Sequence, residues 1–467
     1  MEASLVSNPS RIVDSILDLV GETPLVRLPS GFEPGVRCEV LLKIESANPG
    51  GSVKDRIALR MVRQAEGRGE LQPGGTIVEC TSGNTGAGLC LVAAALGYRS
   101  LIVIPDKMSQ EKIDTLRAFG AEVVITPSNV PSGHPQHYLK VAERLAEELP
   151  GAWWANQFDN PDNPDAHYHG TGPEIWEQCG GRVDAFVAGC GTGGTITGTG
   201  RYLREQDPAV QVIGVDPPGS VYEPYWRTGQ LSEAGSYAVE GVGEDEIPGT
   251  WDREAITGYE VVEDAESFAL ARRLTERTGI FTGGSTGMAL AAALRVARRL
   301  PDDARVVVLV PDSGKNYLTK VYNHDWLRDN AFVARTPAAE ATVADLVRDK
   351  PRAILLPDET LDLAWRQLAD RGVRPIPVAA SRDSRELLGV VDEGRLLELL
   401  ASGADLAQHP VAGALLPPPE VLAAGAPWRA ALEATSRAEP VLVEDALGWT
   451  SLDRRDILRG LPRLRHD

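Results

Sequence analysis

Between about residues 75 and 315, short apolar runs alternate with longer segments whose apolar residues recur at three- and four-residue spacing. The short runs lie at 76–79, 101–104, 123–126, 185–188, 210–215 and 305–310, and read as strands. The segments 109–119, 138–148 and 268–278 read as helices. Near-continuous apolar strands joined by helices demand a parallel sheet covered on both faces, so the fold class is α/β. Glycine clusters follow three of these strands. In open α/β sheets the carboxyl ends of the strands are where ligands bind.

Composition removes several alternatives. With 43% hydrophobic residues the chain can build cores, and no apolar run approaches the roughly 20 residues that a membrane span requires. The net charge of −19 repels nucleic acid on average, and no basic stripe offsets it. The five cysteines form no CxxC pair, which predicts neither a zinc site nor a disulfide framework. His134, His137, His167 and His169 lack the i,i+4 pairing and acid of a metal site, so they are expected to be surface or loop residues and no metal is expected. Asp264, Asp302 and Asp303 are expected to be solvated. The N-terminus does not show the basic-then-apolar pattern of a signal peptide, and a reducing, cytoplasmic setting is expected.

The chain changes character near 334–341, which predicts a first domain over 1–333, a linker, and a second domain over 342–467. Residues 342–402 read as a small α/β unit, and 409–463 repeat its order, as expected of an internal repeat whose halves cover each other.

Four loops carry the chemistry. In Asn48-Pro49-Gly50-Gly51-Ser52-Val53-Lys54-Asp55-Arg56, Ser52 is placed to cap a helix and Lys54 stands in its first turn. A positive helix end favours the neutral, nucleophilic amine. Only eight of the 47 basic residues are lysines, so one inside a glycine loop stands out. Thr81-Ser82-Gly83-Asn84-Thr85-Gly86 follows the 76–79 strand and suits a carboxylate. Gly189-Cys190-Gly191-Thr192-Gly193-Gly194-Thr195 suits a phosphate. Gly189, Gly191 and Gly194 with Asp216 also satisfy a dinucleotide fingerprint, so a nicotinamide dehydrogenase competes on that segment. Gly283-Gly284-Ser285-Thr286-Gly287 opens another helix, where Ser285 is placed to meet a heterocycle nitrogen.

Taken in this order, with Gly21-Glu22-Thr23-Pro24-Leu25 before them and Pro311-Asp312-Ser313 after, the loops resemble fold type II pyridoxal-phosphate enzymes, the cysteine synthase and cystathionine β-synthase family. Residues 163–174 and 240–248 are more similar to the cystathionine β-synthase branch, and 342–461 resemble a pair of Bateman-type repeats. The resemblance implies two open parallel-sheet subdomains and pyridoxal 5'-phosphate as cofactor. It implies that Lys54 carries the cofactor and acts as the catalytic base, and that Asn84 meets its ring hydroxyl. Gly191, Thr192, Gly193, Gly194 and Thr195 would hold its phosphate, with Ser285 at its pyridine nitrogen. Thr81, Ser82, Gly83, Thr85 and Gln157 would hold the substrate carboxylate. The implied reaction condenses L-serine with L-homocysteine to L-cystathionine through an aminoacrylate. Its alternative uses O-acetylserine or another activated serine with sulfide or another nucleophile. A homodimer or higher homo-oligomer is implied by the 21–28 segment, which resembles the family's partner-packing arm.

The chain also departs from the family. Glu244 stands where many members have tyrosine, and Cys80 where proline is usual. The Gly21–Pro24 motif falls too early for the haem-binding extension of the animal enzymes, so no haem is expected. At the nucleotide sites of the repeats, where a threonine and an aspartate three residues on are usual, the first copy has Asp392 and Arg395 and the second Asp453 and Asp456. S-adenosylmethionine at the second site is therefore the effector expected, if any, over ATP or AMP.

Overall fold

The computed structural model describes residues 12–460 and 464–465, apart from 82, 107, 109, 132, 334–335, 338–340, 349, 372–373 and 447. Ser82 and most of the expected linker therefore lie outside the described residues. The chain divides into two compact units, Met1–Trp326 and Leu327–Asp467.

Among its described residues the first unit holds ten strands: β1 (Leu25–Arg27), β2 (Glu39–Ile44), β3 (Thr76–Cys80), β4 (Arg99–Pro105), β5 (Glu122–Thr126), β6 (Ala152–Trp154), β7 (Ala185–Gly189), β8 (Gln211–Asp216), β9 (Gly258–Val261) and β10 (Arg305–Val310). They form two sheets, ordered β5-β4-β3-β6 and β1-β2-β10-β7-β8-β9. The smaller is all parallel, and in the larger only β1 runs antiparallel, against β2. Buried Val, Ile and Leu side chains on β3, β4, β7, β8 and β10 give the continuous apolar runs that a sheet covered on both faces needs. β1, β2, β6 and β9 escape the alternation. β6 has three residues and β9 is half-exposed, so neither carries a clear pattern. β2 pairs with β10, whose residues are more than 250 positions further on.

The predicted helices appear at Gln110–Ala118, Tyr138–Glu148 and Asp264–Thr278. The last starts four residues earlier than expected, at Asp264, which is half-buried and not simply solvated. Its carboxylate accepts from the backbone N–H groups of Ala238 (2.7 Å) and Val239 (3.0 Å), anchoring the loop that continues to Gly243. Asp302 and Asp303 are exposed and pair with Arg37 and Arg182.

In the second unit, Leu361–Arg371, Ile376–Ala379, Leu387–Val391 and Glu393–Ala401 run helix, strand, strand, helix. Trp428–Arg437, Val441–Asp445, Gly448–Leu452 and Arg454–Gly460 follow the same order. Each half has its own core, one around Leu355, Leu361, Ile376 and Val391, the other around Ala431, Val441 and Leu452. The helix Val343–Val347 packs into the second core, so the unit's opening segment serves its far half.

Candidate active site

The Lys54 loop is built from both sides. Asn48 Oδ1 accepts from Gly21 N–H at 2.8 Å, and Val53 N–H donates to the Pro311 carbonyl at 2.8 Å. Ser52 Oγ accepts from Lys54 N–H at 3.2 Å, and Ser52 bridges Asp312 as an isolated antiparallel pair. These ties set Lys54 at the first position of the helix Lys54–Arg68. Loss of hydration pushes the Lys54 amine below its usual range, while Asp312, Glu244 and Glu45 pull it back.

Lys54 shares one cavity with Gly189, Gly191, Thr192, Gly193, Thr195, Gly241, Val242 and Ser285. The glycine loop reaches it from β7 and turns into the helix Gly194–Gln206, with Gly193 at φ +83°. A Cβ on Gly194 would sit 1.9 Å from Asn163 Oδ1, and one on Gly191 2.8 Å from the Gly241 carbonyl. Glycine is required here because the backbone itself is pressed against neighbours, not only for the turn. The Cα of Gly194 therefore packs directly against Asn163. Asn163 Nδ2 bridges the Gln157 carbonyl (2.7 Å) and Thr192 Oγ1 (3.0 Å), and Thr250 Oγ1 donates to the Thr192 carbonyl at 2.6 Å.

The Thr81 loop forms a neighbouring cluster. Thr81 and Thr85 are buried, and Thr85 Oγ1 donates to Gln157 Oε1 at 2.6 Å. Glu79 accepts from Cys80 N–H (2.8 Å) and Gln157 N–H (3.1 Å) underneath them. Burial pushes the Glu79 carboxyl up to about 7. Asn84 opens the helix Asn84–Leu96 directly after Gly83, and its Nδ2 donates to Asp312 Oδ2 at 2.8 Å.

Three features differ from the sequence reading. His167 is fully buried, hydrogen-bonded to Thr195 Oγ1 (3.1 Å) and Thr171 Oγ1 (2.9 Å), rather than a surface or loop histidine. Burial, with Arg56 and Lys54 nearby, pushes its pKa far down, so it buttresses Thr195 as a neutral ring. Asp216 accepts from Glu223 N–H at 3.0 Å and is 1% exposed, so it holds the start of a helix and offers no carboxylate to a ribose. That removes the dinucleotide reading. Asp312, Asn163 and Glu79 went unassigned because their partners come from other segments. Among the described residues no group of three or more His, Cys, Asp or Glu is placed to hold a metal ion, and no helix is long and apolar enough to cross a membrane.

The cavity suits a phosphorylated aldehyde. A long helix end with two threonine hydroxyls meets a phosphate, and a desolvated amine in the same space meets a carbonyl. The family of pyridoxal-phosphate dependent enzymes matches residues 16–312. The chain is 41% identical over 404 residues to cystathionine β-synthase of Apis mellifera, covering 84% of this chain and 79% of that one. It is 41% identical over 337 residues to cysteine synthase 1 of Neurospora crassa, covering 71% and 89%. The crystal structure of O-acetylserine dependent cystathionine β-synthase from Helicobacter pylori superposes with a TM-score of 0.62 at 38% identity, covering 67% of this chain and all of that one. With a family match over residues 16–312 and a cavity whose lining suits a phosphorylated aldehyde, the chain belongs to the pyridoxal-phosphate dependent enzymes and uses pyridoxal 5'-phosphate.

Proposed function

We propose that this enzyme catalyses β-replacement, condensing L-serine with L-homocysteine to give L-cystathionine and water. The observation that carries this reading is the 41% identity to a cystathionine β-synthase across 84% of the chain. Bound pyridoxal phosphate supplies the electron sink for a carbanion at the substrate α-carbon. The chain's own residues do the rest. Thr192, Thr195 and the backbone N–H groups of Gly191–Gly194 hold the phosphate. Ser285, a neutral hydroxyl lining the cavity, would meet the ring nitrogen and could not keep it protonated as a carboxylate would, which would favour prompt elimination. Thr81, Ser82, Gly83, Thr85 and Gln157 hold the substrate carboxylate. Lys54 would bind the cofactor, and its Nζ would serve as the base for the substrate α-proton. A product screen tests the reading: serine or O-acetylserine crossed against homocysteine or sulfide. Cystathionine from serine and homocysteine is expected. Cysteine from O-acetylserine and sulfide alone would overturn it.

Glu244 favours an amino thiol over sulfide as nucleophile. It lies two residues beyond Gly241 and Val242 of the cavity wall, beside Asp245 and Glu246, and acts electrostatically on Lys54. Burial pushes its carboxyl up, Asp245 adds to this, and Lys54 opposes, leaving it at about 7. An ionised carboxylate there repels hydrosulfide and attracts an α-ammonium. Glu244→Gln is expected to raise KM for homocysteine about tenfold, equivalent to ~1.4 kcal/mol, with KM for serine unchanged and sulfide use undiminished. An equal loss for both nucleophiles would remove Glu244 from this role.

The working form is a homodimer in a reducing, cytoplasmic setting. Ile12, Ile16, Leu19 and Val26 are exposed apolar side chains along one N-terminal segment, and all five cysteines are free and buried. Sedimentation equilibrium is expected to return twice the 50.1 kDa chain mass. A single-chain mass at working concentration would contradict this.

The second unit reads as a Bateman-type module with altered nucleotide sites. Asp392 is committed to capping a helix by accepting from Arg395 N–H at 2.8 Å, and Arg395 pairs with Glu398. Asp453 and Asp456 accept from each other's N–H groups at 3.0 and 2.8 Å, and Lys350 pairs with Asp456. A ribose at the second site must take Asp456 from Lys350, while Asp453 repels a phosphate. Calorimetric titration of the full chain is expected to give no heat with AMP or ATP, and at most weak binding of S-adenosylmethionine. Tight AMP binding would contradict it.

A further inference from the structure

Asp312 follows β10 directly, with only Pro311 between them, and has no part in the roles assigned so far. Three separate loops meet on it. Its backbone pairs with Ser52, two residues before Lys54. Its Oδ2 accepts from Asn84 Nδ2 at 2.8 Å and from Tyr317 Oη at 2.6 Å. A Cβ built on Gly283 would sit 3.1 Å from its Oδ1, so the loop leading to Ser285 rests against it. Asp312 is 1% exposed, and Oδ1 has no hydrogen-bond partner. Leaving an acceptor buried and unmet is costly.

The polarity of the Asn84 contacts is informative. An amide has two donors on nitrogen and an acceptor on oxygen, and the two ends are nearly the same shape. A carboxylate only accepts, so Asp312 draws the nitrogen end of Asn84 toward itself. Asn316 Nδ2 donates to Asn84 Oδ1 at 3.3 Å and so engages the oxygen end. The Asp312 carboxylate allows one flip of the amide, Asn316 matches it, and that flip leaves one Asn84 N–H unspent.

We propose that Asp312 is a positioning residue that fixes the Asn84 amide so that it meets the ring oxygen of the cofactor with an N–H and not with its carbonyl oxygen. This rests on the reading that Asn84 faces that oxygen. A reversed amide would set two acceptors against each other, and the ring oxygen would lose its donor. Burial makes the Asp312 carboxylate costly to keep for structural reasons alone, and Lys54 offsets only part of that cost. An amide at 312 would keep the shape while presenting a donor or a weaker acceptor to Asn84.

The test uses the holoenzyme and reads the visible absorption band and the dissociation constant of bound pyridoxal phosphate. Asp312→Asn is expected to move the band and weaken cofactor binding about tenfold. In an Asn84→Ala background the same change is expected to move the band no further, because Asp312 acts through Asn84. If Asp312→Asn does not fold, Asn316→Ala replaces it; position 316 is exposed, and loss of the oxygen-side tether is expected to shift the band in the same direction, by less. A wild-type band in whichever variant is used, or a shift that adds in full to that of Asn84→Ala, overturns the proposal. If Asn84→Ala itself leaves the band unmoved, the reading of Asn84 fails and the proposal falls with it. A band that moves in Asn84→Ala but not in Asp312→Asn sinks the proposal alone.

Discussion

Lys54→Ala is expected to lower turnover by at least roughly a hundredfold to ten-thousandfold, the range that a positioned proton-transfer group contributes. Loss of the covalent hold on the cofactor adds to that. Lys54 lines the same cavity as the Gly189–Thr195 loop and Ser285, and its amine is held below its usual range by loss of hydration. A neutral amine can both attack the cofactor's carbonyl and accept the α-proton. Borohydride treatment of the wild type is expected to fix the cofactor to the peptide containing Lys54, and treatment of the variant to label no peptide. A label on another lysine would move the catalytic role there. Lys43 is a fully buried lysine, but it donates to Glu174 (2.8 Å), Gln178 (3.0 Å) and the Thr23 carbonyl (2.6 Å), and those bonds hold it in place.

The second large effect is on stability. Arg56 follows Lys54 in the same helical turn and is 6% exposed. Its guanidinium grips Glu45 at 2.7 and 2.9 Å, Glu174 at 2.6 and 2.7 Å, and Thr23 Oγ1 at 3.1 Å. Burial pushes the Glu174 carboxyl up, but Arg56 and Lys43 outweigh it and hold the group down to about 2. Glu174 therefore contributes its full stabilisation above the ordinary carboxylate pKa of 4.5, and loses it progressively as pH falls from there to about 2. Arg56→Ala leaves Glu45, fully buried, without its cation, and is expected to cost about 3–5 kcal/mol in urea unfolding. Arg56→Lys is expected to recover little, because one ammonium cannot replace a fork that grips two carboxylates. A loss below about 1 kcal/mol would show that the network relaxes or admits water.

Much of the catalytic unit is legible because its signals are local. Val306–Val310 are apolar one after another because both faces of β10 are covered. The glycine loops are legible for a related reason. A backbone pressed against Asn163 or the Gly241 carbonyl has no room for a side chain, so the requirement is written at the glycine itself. Strand, glycine loop and helix start are then consecutive in sequence, and the site's outline follows from that order.

The remainder depends on residues that are distant along the chain. Nothing around His167 indicates that Thr195 will bury it, and nothing around Asp264 indicates that residues 238–239 will arrive as donors. Asp216 fits a dinucleotide pattern by spacing, and only its bond to Glu223 N–H gives it a different role. Asp312 is similar: Ser52, Asn84 and Gly283 reach it from loops that precede it by up to 260 positions. By itself the sequence determined the fold class, the glycine loops and the lysine among them, because periodicity, turn geometry and helix starts act over a few residues. Only the tertiary structure decided which polar groups were buried and which partners they met, because a carboxylate or imidazole takes its charge and its role from neighbours that the folded chain brings to it.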